Sequence, residues 1–312
     1  MLDTHQINVF LVAAETLNFT EAAQRLHLTQ PSVSQHIQAL EQHFNSELFV
    51  RSGRHLELTD AGRALVPMAR KMVNQSVHID ETMRSLDGEV FGHLVVGCST
   101  TPGKYILPHL LARFHRQYPE VTAACQVAPQ EQTVEMVCSG EAHFTMASAP
   151  YIACRDVEFH RYMTDPLVLI APDDHPWAQR EYIQPEDLYD GVFIMREQGS
   201  GTLNAVQEGL ATIGVVQDRF KTLLILGNPE AIALAVQEGL GVGFVSKIVV
   251  TKLVRTGVAI VNVQGLELER EIYIGRHARR PATTAQAAFW EFVQSEDEMS
   301  IAAVEKERLP AI

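Results

Sequence analysis

The first sixty residues constrain this chain more tightly than any other stretch. Ile7, Phe10, Leu11, Ala14 and Leu17 recur at spacings of three and four, which lines one face of a helix with apolar side chains. Phe19-Thr20 interrupts that pattern, and Thr20 reads as the N-cap of a short helix through Ala22, Ala23 and Leu26. After the turn His27-Leu28-Thr29, Gln30-Pro31 opens a third helix. Pro31 suits a first turn, where the N–H it lacks has no intrahelical acceptor. Val33, Ile37, Leu40 and Phe44 make the inward stripe of this helix; Pro31, Gln35, Gln38 and Gln42 lie opposite, flanked by Ser32, Ser34 and Ala39. Leu48 to Arg51, the turn Ser52-Gly53 and Arg54 to Leu58 read as a tight hairpin with Arg51 and Arg54 near its tip. Thr59 then caps a long helix, with Asp60 at its positive end.

That order of elements is a winged helix-turn-helix. A helix face of hydroxyls and glutamines is, taken alone, more often simply solvated. The basic-tipped hairpin that follows turns the reading towards DNA, because Gln pairs bidentately with adenine and Ser with either base type. Charge limits how such a module can bind. The chain carries a net charge of −13, which excludes an electrostatic grip by the whole protein. Within residues 1–60, Arg25, Arg51 and Arg54 oppose seven carboxylates, a balance of −4. His5, His27, His36, His43 and His55 read as scattered surface imidazoles. Any DNA contact is therefore local and geometric.

In the long helix, Leu65, Met68, Met72, Gln75, Ile79, Thr82 and Leu86 alternate spacings of three and four. This is the a/d seam of a coiled coil and predicts a homodimer through residues 60–88. Pro67 lies inside the helix, and Asp87-Gly88 ends it.

From Gly92 the pattern becomes α/β. Buried strands are expected at His93–Cys98, Val121–Val127 and Phe144–Ser148, with an amphipathic helix ending near Tyr118 and another ending at Gly140. A second set has strands at Leu167–Ala171 and Val192–Met195, a helix opening at Gly199–Thr202, a helix from Pro229 to Gly239 and a strand from Val242 to Ser246. The segments Glu135–Ser148 and Ala233–Ser246 share one plan: apolar helix, glycine stop, short strand, serine. Two similar halves of this kind are the layout of type II periplasmic-binding-protein folds. The expected division is a DNA-binding domain over 1–59, a linker helix over 60–88 and an effector domain over 89–298. Lobe I of that domain takes 89–162 and 267–298, lobe II takes 163–266, and residues 299–312 form a tail.

The cleft between the halves is the default ligand site. Ser99, Thr100 and Thr101 stand at a strand end and a helix start in one half; Gly199, Ser200, Gly201 and Thr202 do the same in the other. Helix N-termini present unpaired N–H groups and partial positive charge, which suit carboxylate, sulfate or phosphate. Helix capping by one Ser or Thr is the simpler account of a single cluster; two facing clusters favour an anion. Lys104 and Arg196 adjoin these loops as possible added charge or as ordinary surface residues.

Other classes find less support. Gln198-Gly199-Ser200-Gly201-Thr202 lacks the flanking glycines of a nucleophile elbow, and the glycines at 239, 241 and 243 enter a strand where a dinucleotide-binding turn would leave one. The histidines have no metal-ligand spacing, so no catalytic centre, metal or cofactor is expected. No apolar run approaches the ~20 residues of a membrane helix. Met1 to His5 lacks the basic and apolar regions of a secretory signal. Cys98, Cys125, Cys138 and Cys154 are scattered and read as reduced thiols of a cytoplasmic protein. Cys98 is the one candidate for a redox-responsive regulator, although a buried structural thiol is the favoured reading.

The run Phe19-Thr20-Glu21-Ala22-Ala23 through Leu28-Thr29-Gln30-Pro31-Ser32-Val33-Ser34, with Leu40-Glu41, strongly resembles LysR-type transcriptional regulators. Leu48-Phe49-x-Arg51-x-x-Arg54 and Leu58-Thr59-x-Ala61-Gly62 belong to the same resemblance, as do Arg196-Glu197-x-Gly199-Ser200-Gly201-Thr202 and Gly239–Phe244. It implies that Gln30, Pro31, Ser32, Ser34 and Gln35 lie at the major groove, and Thr20 and Gln38 join them as candidate DNA-binding residues. Arg51 and Arg54 would meet the backbone or minor groove. It also implies an inducer between the lobes and a homotetramer on promoter DNA. Residues 99–108 look like the subgroup that senses carbon, sulfur or nitrogen status, which suggests a small anionic metabolite; an effector-independent regulator is the alternative. Gln35 departs from the basic residue that many members carry at this position.

Overall fold

The computed structural model describes residues 1–52, 55–85, 90–148, 155–254 and 256–295. The expectations for Gly53, Arg54, Leu86, Asp87-Gly88, Cys154 and the tail from Met299 lie outside the described residues. The chain divides into two units, Met1–Glu89 with Ser139–Glu141 and Ala282–Thr284, and the remainder.

The first unit contains helices α1 (Thr4–Thr16), α2 (Phe19–Arg25), α3 (Gln30–Phe44) and α4 (Asp60–Ser85), with strands β1 (Phe49–Ser52) and β2 (His55–Leu58) paired antiparallel. Polar side chains fix where the helices begin. The Asp3 carboxylate accepts the His5 N–H at 2.9 Å. Asn18, not Thr20, caps α2: its Oδ1 accepts the amides of Thr20 at 2.9 Å and Glu21 at 3.2 Å. Thr20 cannot cap because the helix already runs from Phe19, and a cap residue needs the extended backbone that Asn18 has. Thr29 caps α3 through the Ser32 amide at 3.3 Å, with Pro31 in the first turn as expected. Thr59 caps α4 through the Gly62 amide at 3.0 Å.

Ile7, Phe10, Val33, Ile37, Leu40 and Leu48 form the core of this unit. Two residues expected in it are at the surface. Leu17 is the left-handed C-cap of α1, at φ 47°, and Phe44 is the last residue of α3, so both lie where the helical stripe has run out. The Glu41 carboxylate accepts the amides of Leu48 and Phe49, which fastens α3 to the start of the wing. The seam on α4 needs correction at its first members. Leu65 is buried in the core of its own unit and Met72 packs against that core, so neither is free for a partner. Met68 and Ile79 do remain exposed, together with Val77 and Met83.

The second unit runs β3 (Gly92–Cys98), a π-helical turn (Pro102–Ile106), α5 (Leu107–Gln117), β4 (Val121–Val127), α6 (Gln130–Ser139), β5 (Phe144–Ala147) and β6 (Val157–Pro172). It continues through β7 (Val192–Arg196), α7 (Gly201–Thr212), β8 (Lys221–Leu226), α8 (Pro229–Gln237), β9 (Val242–Ser246), α9 (Lys247–Leu253), β10 (Val258–Val261), β11 (Leu268–His277) and α10 (Thr284–Ser295). Among the described residues one sheet runs β4-β3-β5-β11-β6-β9-β7-β8, with β10 on the flank of β6. The parallel strands β4, β3 and β5 serve one lobe and β9, β7 and β8 the other. Between them β6 and β11 run antiparallel through both lobes, pairing from Leu268 opposite Leu167 to His277 opposite Val157. The return crossing is thus a ten-residue strand, and β6 begins ten residues before the Leu167 expected from the sequence. Leu94, Leu110, Phe114, Phe144, Phe289 and Val293 fill the first lobe. Leu188, Phe193, Leu210, Phe220 and Phe244 fill the second, with Phe193 stacked on Phe220 at 4.1 Å.

One half-buried imidazole in the first lobe makes stability depend on pH. His143 Nδ1 accepts the Val95 amide at 3.1 Å. Burial, followed by the positive charges of His93 and Arg280, pulls its pKa from the usual imidazole value down to about 4. The unfolded chain takes up a proton near pH 6.5 that the folded chain refuses until about pH 4. The contribution is complete above pH 6.5 and is lost as pH falls through this window, on the order of 3 kcal/mol in all. Urea unfolding at pH 7.5 and pH 4.5 is expected to show that loss in the parent chain and a flatter profile in His143→Gln. Equal slopes in the two chains would remove His143 as the cause.

Candidate functional site

A cleft of about 360 Å³ opens between the two lobes of the second unit, a size suited to a small metabolite. It lies at the C-terminal ends of β3 and β7, where parallel strands hand over to helices. Ser99, Thr100 and Thr101 line it from the first lobe; Gly199, Ser200 and Gly201 line it from the second.

The two loops present backbone donors. In the first, the Gly103 amide bonds Ser99 O at 2.9 Å, so the amides of Thr100 and Thr101 precede the first helical bond. In the second, the first bond runs from Asn204 N–H to Ser200 O at 3.0 Å, leaving Gly201, Thr202 and Leu203 ahead of it. Neither Thr101, the residue before the π-helical turn, nor Ser200, the N-cap of α7, uses its side chain as a cap. Helix capping is therefore not what the Thr101 and Ser200 hydroxyls do here, and the helix ends keep their partial positive charge.

Thr202 departs from expectation. It is 1% exposed and does not line the cleft. Its hydroxyl instead accepts a hydrogen bond from Arg270 Nη1 at 2.8 Å. Arg270 lines the cleft and donates from Nε and Nη2 to Asp165 Oδ2 at 2.8 and 2.6 Å, while Ser246 Oγ donates to Asp165 Oδ1. This fully buried network, set on β6, β9, β11 and α7, holds the guanidinium at the cleft wall. Arg196, the end of β7, also lines the cleft and forms a bidentate pair with Glu197 at 2.7 and 2.8 Å. Burial pushes the Glu197 carboxyl up, but the Arg196 pair together with a backbone hydrogen bond outweighs it and the net shift is downward. Lys104 pairs with Glu230 at 3.0 Å and does not line the cleft.

The lobes meet below these loops. Ser148 Oγ, beyond β5, donates to Gln130 Oε1 at 2.8 Å, and both lie under Gly201. A Cβ added at Gly201 would fall 1.6 Å from Ser148 Oγ and 2.8 Å from its Cβ. Glycine is needed there for the close approach of one lobe to the other.

Gln130, Ser148, Asp165, Ser246 and Arg270 were not singled out from the sequence. A signal existed for two of them. Met163, Asp165, Leu167 and Leu169 share one phase of β6, and Leu268, Arg270 and Ile272 one phase of β11. A charged residue at an inward position of a period-two pattern marks a buried, paired charge, and Asp165 and Arg270 are register partners.

In the first unit, Thr20, Gln30, Pro31, Gln35 and Gln38 are exposed, while Ser32 and Ser34 are half-buried beside them at the start of α3. Arg51 is exposed on β1. The arrangement offers amide and hydroxyl groups on one helix face, with one described arginine on the adjoining strand.

Residues 4–63 match the family of bacterial regulatory helix-turn-helix proteins of the lysR type, and residues 87–298 match the LysR substrate binding domain. An HTH-type transcriptional regulator from Methanocaldococcus jannaschii is 33% identical over 285 residues, 91% of this chain and 96% of the relative. The regulatory domain of CcmR from Synechocystis PCC6803, solved in complex with 2-PG, is 29% identical with a TM-score of 0.59, covering 65% of this chain and 96% of that one. Full-length CbnR, solved with its target DNA, has a TM-score of 0.70 at 21% identity over 94% of this chain and 99% of that one, a likeness of fold.

Proposed function

The chain belongs to the LysR family of transcriptional regulators, a family of regulators rather than enzymes, and on that footing we propose that it senses a small anionic metabolite held between its two lobes. The observation that carries this reading is the pair of helix starts, at Thr100–Thr101 and Gly201–Leu203, at one cleft that Arg196 and Arg270 also line. Charge sets the character of the ligand. Each arginine already has a carboxylate partner, and Glu131 adds a negative group to the lining. A diffuse positive field is therefore missing, and directed N–H and hydroxyl donors do the selecting. That arrangement suits a compact phosphate or carboxylate on a short carbon skeleton, consistent with the 2-PG bound by the CcmR regulatory domain.

The working division is a DNA-binding domain over 1–59, a linker helix over 60–88 and an effector domain over 89–298. The protein works as a cytoplasmic homo-oligomer on promoter DNA, joined through the side of α4 that carries the exposed Met68, Ile79 and Met83. Effector binding changes the angle between the lobes, and only a ligand with different affinity for the two arrangements can alter DNA binding. Thermal unfolding of the full chain against a panel of small anions tests the effector reading. A ligand at one hundred times its Kd adds about 2.7 kcal/mol of stability. A rise for one class of phosphate or carboxylate is expected, and no rise for any anion would overturn the anionic assignment.

DNA binding is expected to be unusually insensitive to salt. Arg25 is held by Glu21 at 2.7 Å, and residues 1–60 carry only two further cations among Lys and Arg. Two headpieces neutralising at most three phosphates each give a log–log slope no steeper than about −5.4. The measurement is a titration from 50 to 200 mM salt on a duplex selected from a random library for tight binding. A slope near −10 would contradict a mode that relies on base contacts.

A further inference from the structure

Cys98 and Cys125 lie on neighbouring parallel strands, β3 and β4, one step apart on the diagonal: Val96 faces Cys125, and Cys98 faces Val127. Their sulfurs are 2.9 Å apart, and both are free thiols. The two differ sharply in access. Cys98 is 0% exposed within the core of the first lobe, whereas Cys125 is exposed on β4, the terminal strand of the sheet. The sequence offered no partner for Cys98, because the partner is 27 residues away and is brought close only by strand pairing.

We propose that Cys98 and Cys125 form a reversible dithiol–disulfide couple that is oxidised by hydroperoxides and acts on the loop at the mouth of the cleft. The thiolate of Cys125 attacks the terminal oxygen of ROOH, breaking the O–O bond. The product is Cys125–SOH, and RO⁻ leaves to take a proton as ROH. The Cys98 sulfur then attacks the Cys125 sulfur, the S–S bond forms, and the displaced hydroxide leaves as water with the Cys98 proton. The two thiols have lost two electrons and the peroxide has gained them. Division of roles follows from the surroundings. The Cys98 S–H donates to Cys125, which stabilises a thiolate there and lowers its pKa against an opposing effect of burial. That same hydrogen bond, then burial, then the nearby charge of Cys125 hold Cys98 protonated.

The couple is mechanically placed. A Cβ at Gly103 would lie 2.4 Å from Cys98 Sγ and 3.3 Å from Val127 Cγ2, so the π-helical turn rests on this sulfur with no intervening space. Ser99 to Thr101, the residues between Cys98 and that turn, line the cleft, as does Val127. Drawing the sulfurs together moves the floor beneath both. Disulfide chemistry here stands independently of which ligand the cleft holds.

The test uses the reduced full-length protein treated with one equivalent of hydrogen peroxide, alkylated and mapped by mass spectrometry. The expected product is a peptide pair joining Cys98 to Cys125, short of two hydrogens and restored by dithiothreitol, with slowed amide hydrogen exchange over residues 99–106. Cys125→Ser, at an exposed position, should yield no linked pair. In Cys98→Ala, dimedone should trap a sulfenic acid at Cys125. Alkylation of Cys125 at pH 7 should fall about three- to tenfold in that variant, because its hydrogen-bond donor is gone. Cys98 left fully alkylatable after peroxide, or linkage through Cys138 or Cys154 instead, would overturn the proposal.

Discussion

Gly201→Ala is expected to weaken effector binding at least about tenfold, equivalent to about 1.4 kcal/mol, while leaving DNA binding by the first unit unchanged. The backbone at Gly201 is not in the left-handed region, and alanine favours a helix more than glycine does. Local conformation therefore predicts a neutral or stabilising change. The loss comes instead from one atom. The new methyl group would collide with the Ser148 hydroxyl and Cβ and come within 3.2 Å of Gln130 Oε1, all from the opposite lobe. The lobes must part, and a ligand that engages both helix starts then reaches only one. Ser148→Gly removes the Oγ and Cβ that collide, so the double variant should recover most of the affinity in a calorimetric titration. Failure of that rescue would show that Gly201 matters for some reason other than this approach.

Asp165→Ala is expected to lower the stability of the second unit by about 3–5 kcal/mol, since it leaves the Arg270 guanidinium buried and without its counter-charge. Asp165 is 0% exposed and the Arg270 side chain 5%. For a unit of this size the effect corresponds to a fall in Tm of about 10 °C. Replacing both residues, Asp165→Leu with Arg270→Met, should recover much of the stability, because the desolvation cost disappears with the charges. The double variant should still fail to bind the effector. Thr202→Ala belongs with these. It removes one acceptor of Arg270, so any loss of response that it causes acts through the guanidinium and not through contact between Thr202 and ligand.

Much of this was legible in the residues, because the winged headpiece is built from local signals. Thr29 and Thr59 cap the helices they precede, and Pro31 sits in a first turn. Asn18 displaced Thr20 as a cap for a reason that sequence leaves open: both are good caps two residues apart, and only the backbone shows which is extended. The cleft loops were legible as strand-to-helix turns with hydroxyls. What the sequence hid was long-range. The pairing of Asp165 with Arg270 spans 105 residues and that of Ser246 with Asp165 spans 81; both depend on β6 and β11 running side by side through two lobes. The two thiols likewise meet only through sheet register. Leu65 shows the converse error: a heptad-like spacing cannot distinguish a seam for a partner from a stripe that packs on its own unit.

The central claim is that one anionic ligand engages both lobes at once, and amide hydrogen exchange of the full chain with and without 2-PG tests it most directly, 2-PG serving as a probe. The account predicts slowed exchange at Thr100 and Thr101 and, with the same ligand dependence, at Gly201 to Leu203. Saturable binding with protection elsewhere, or at only one of the two helix starts, would contradict it.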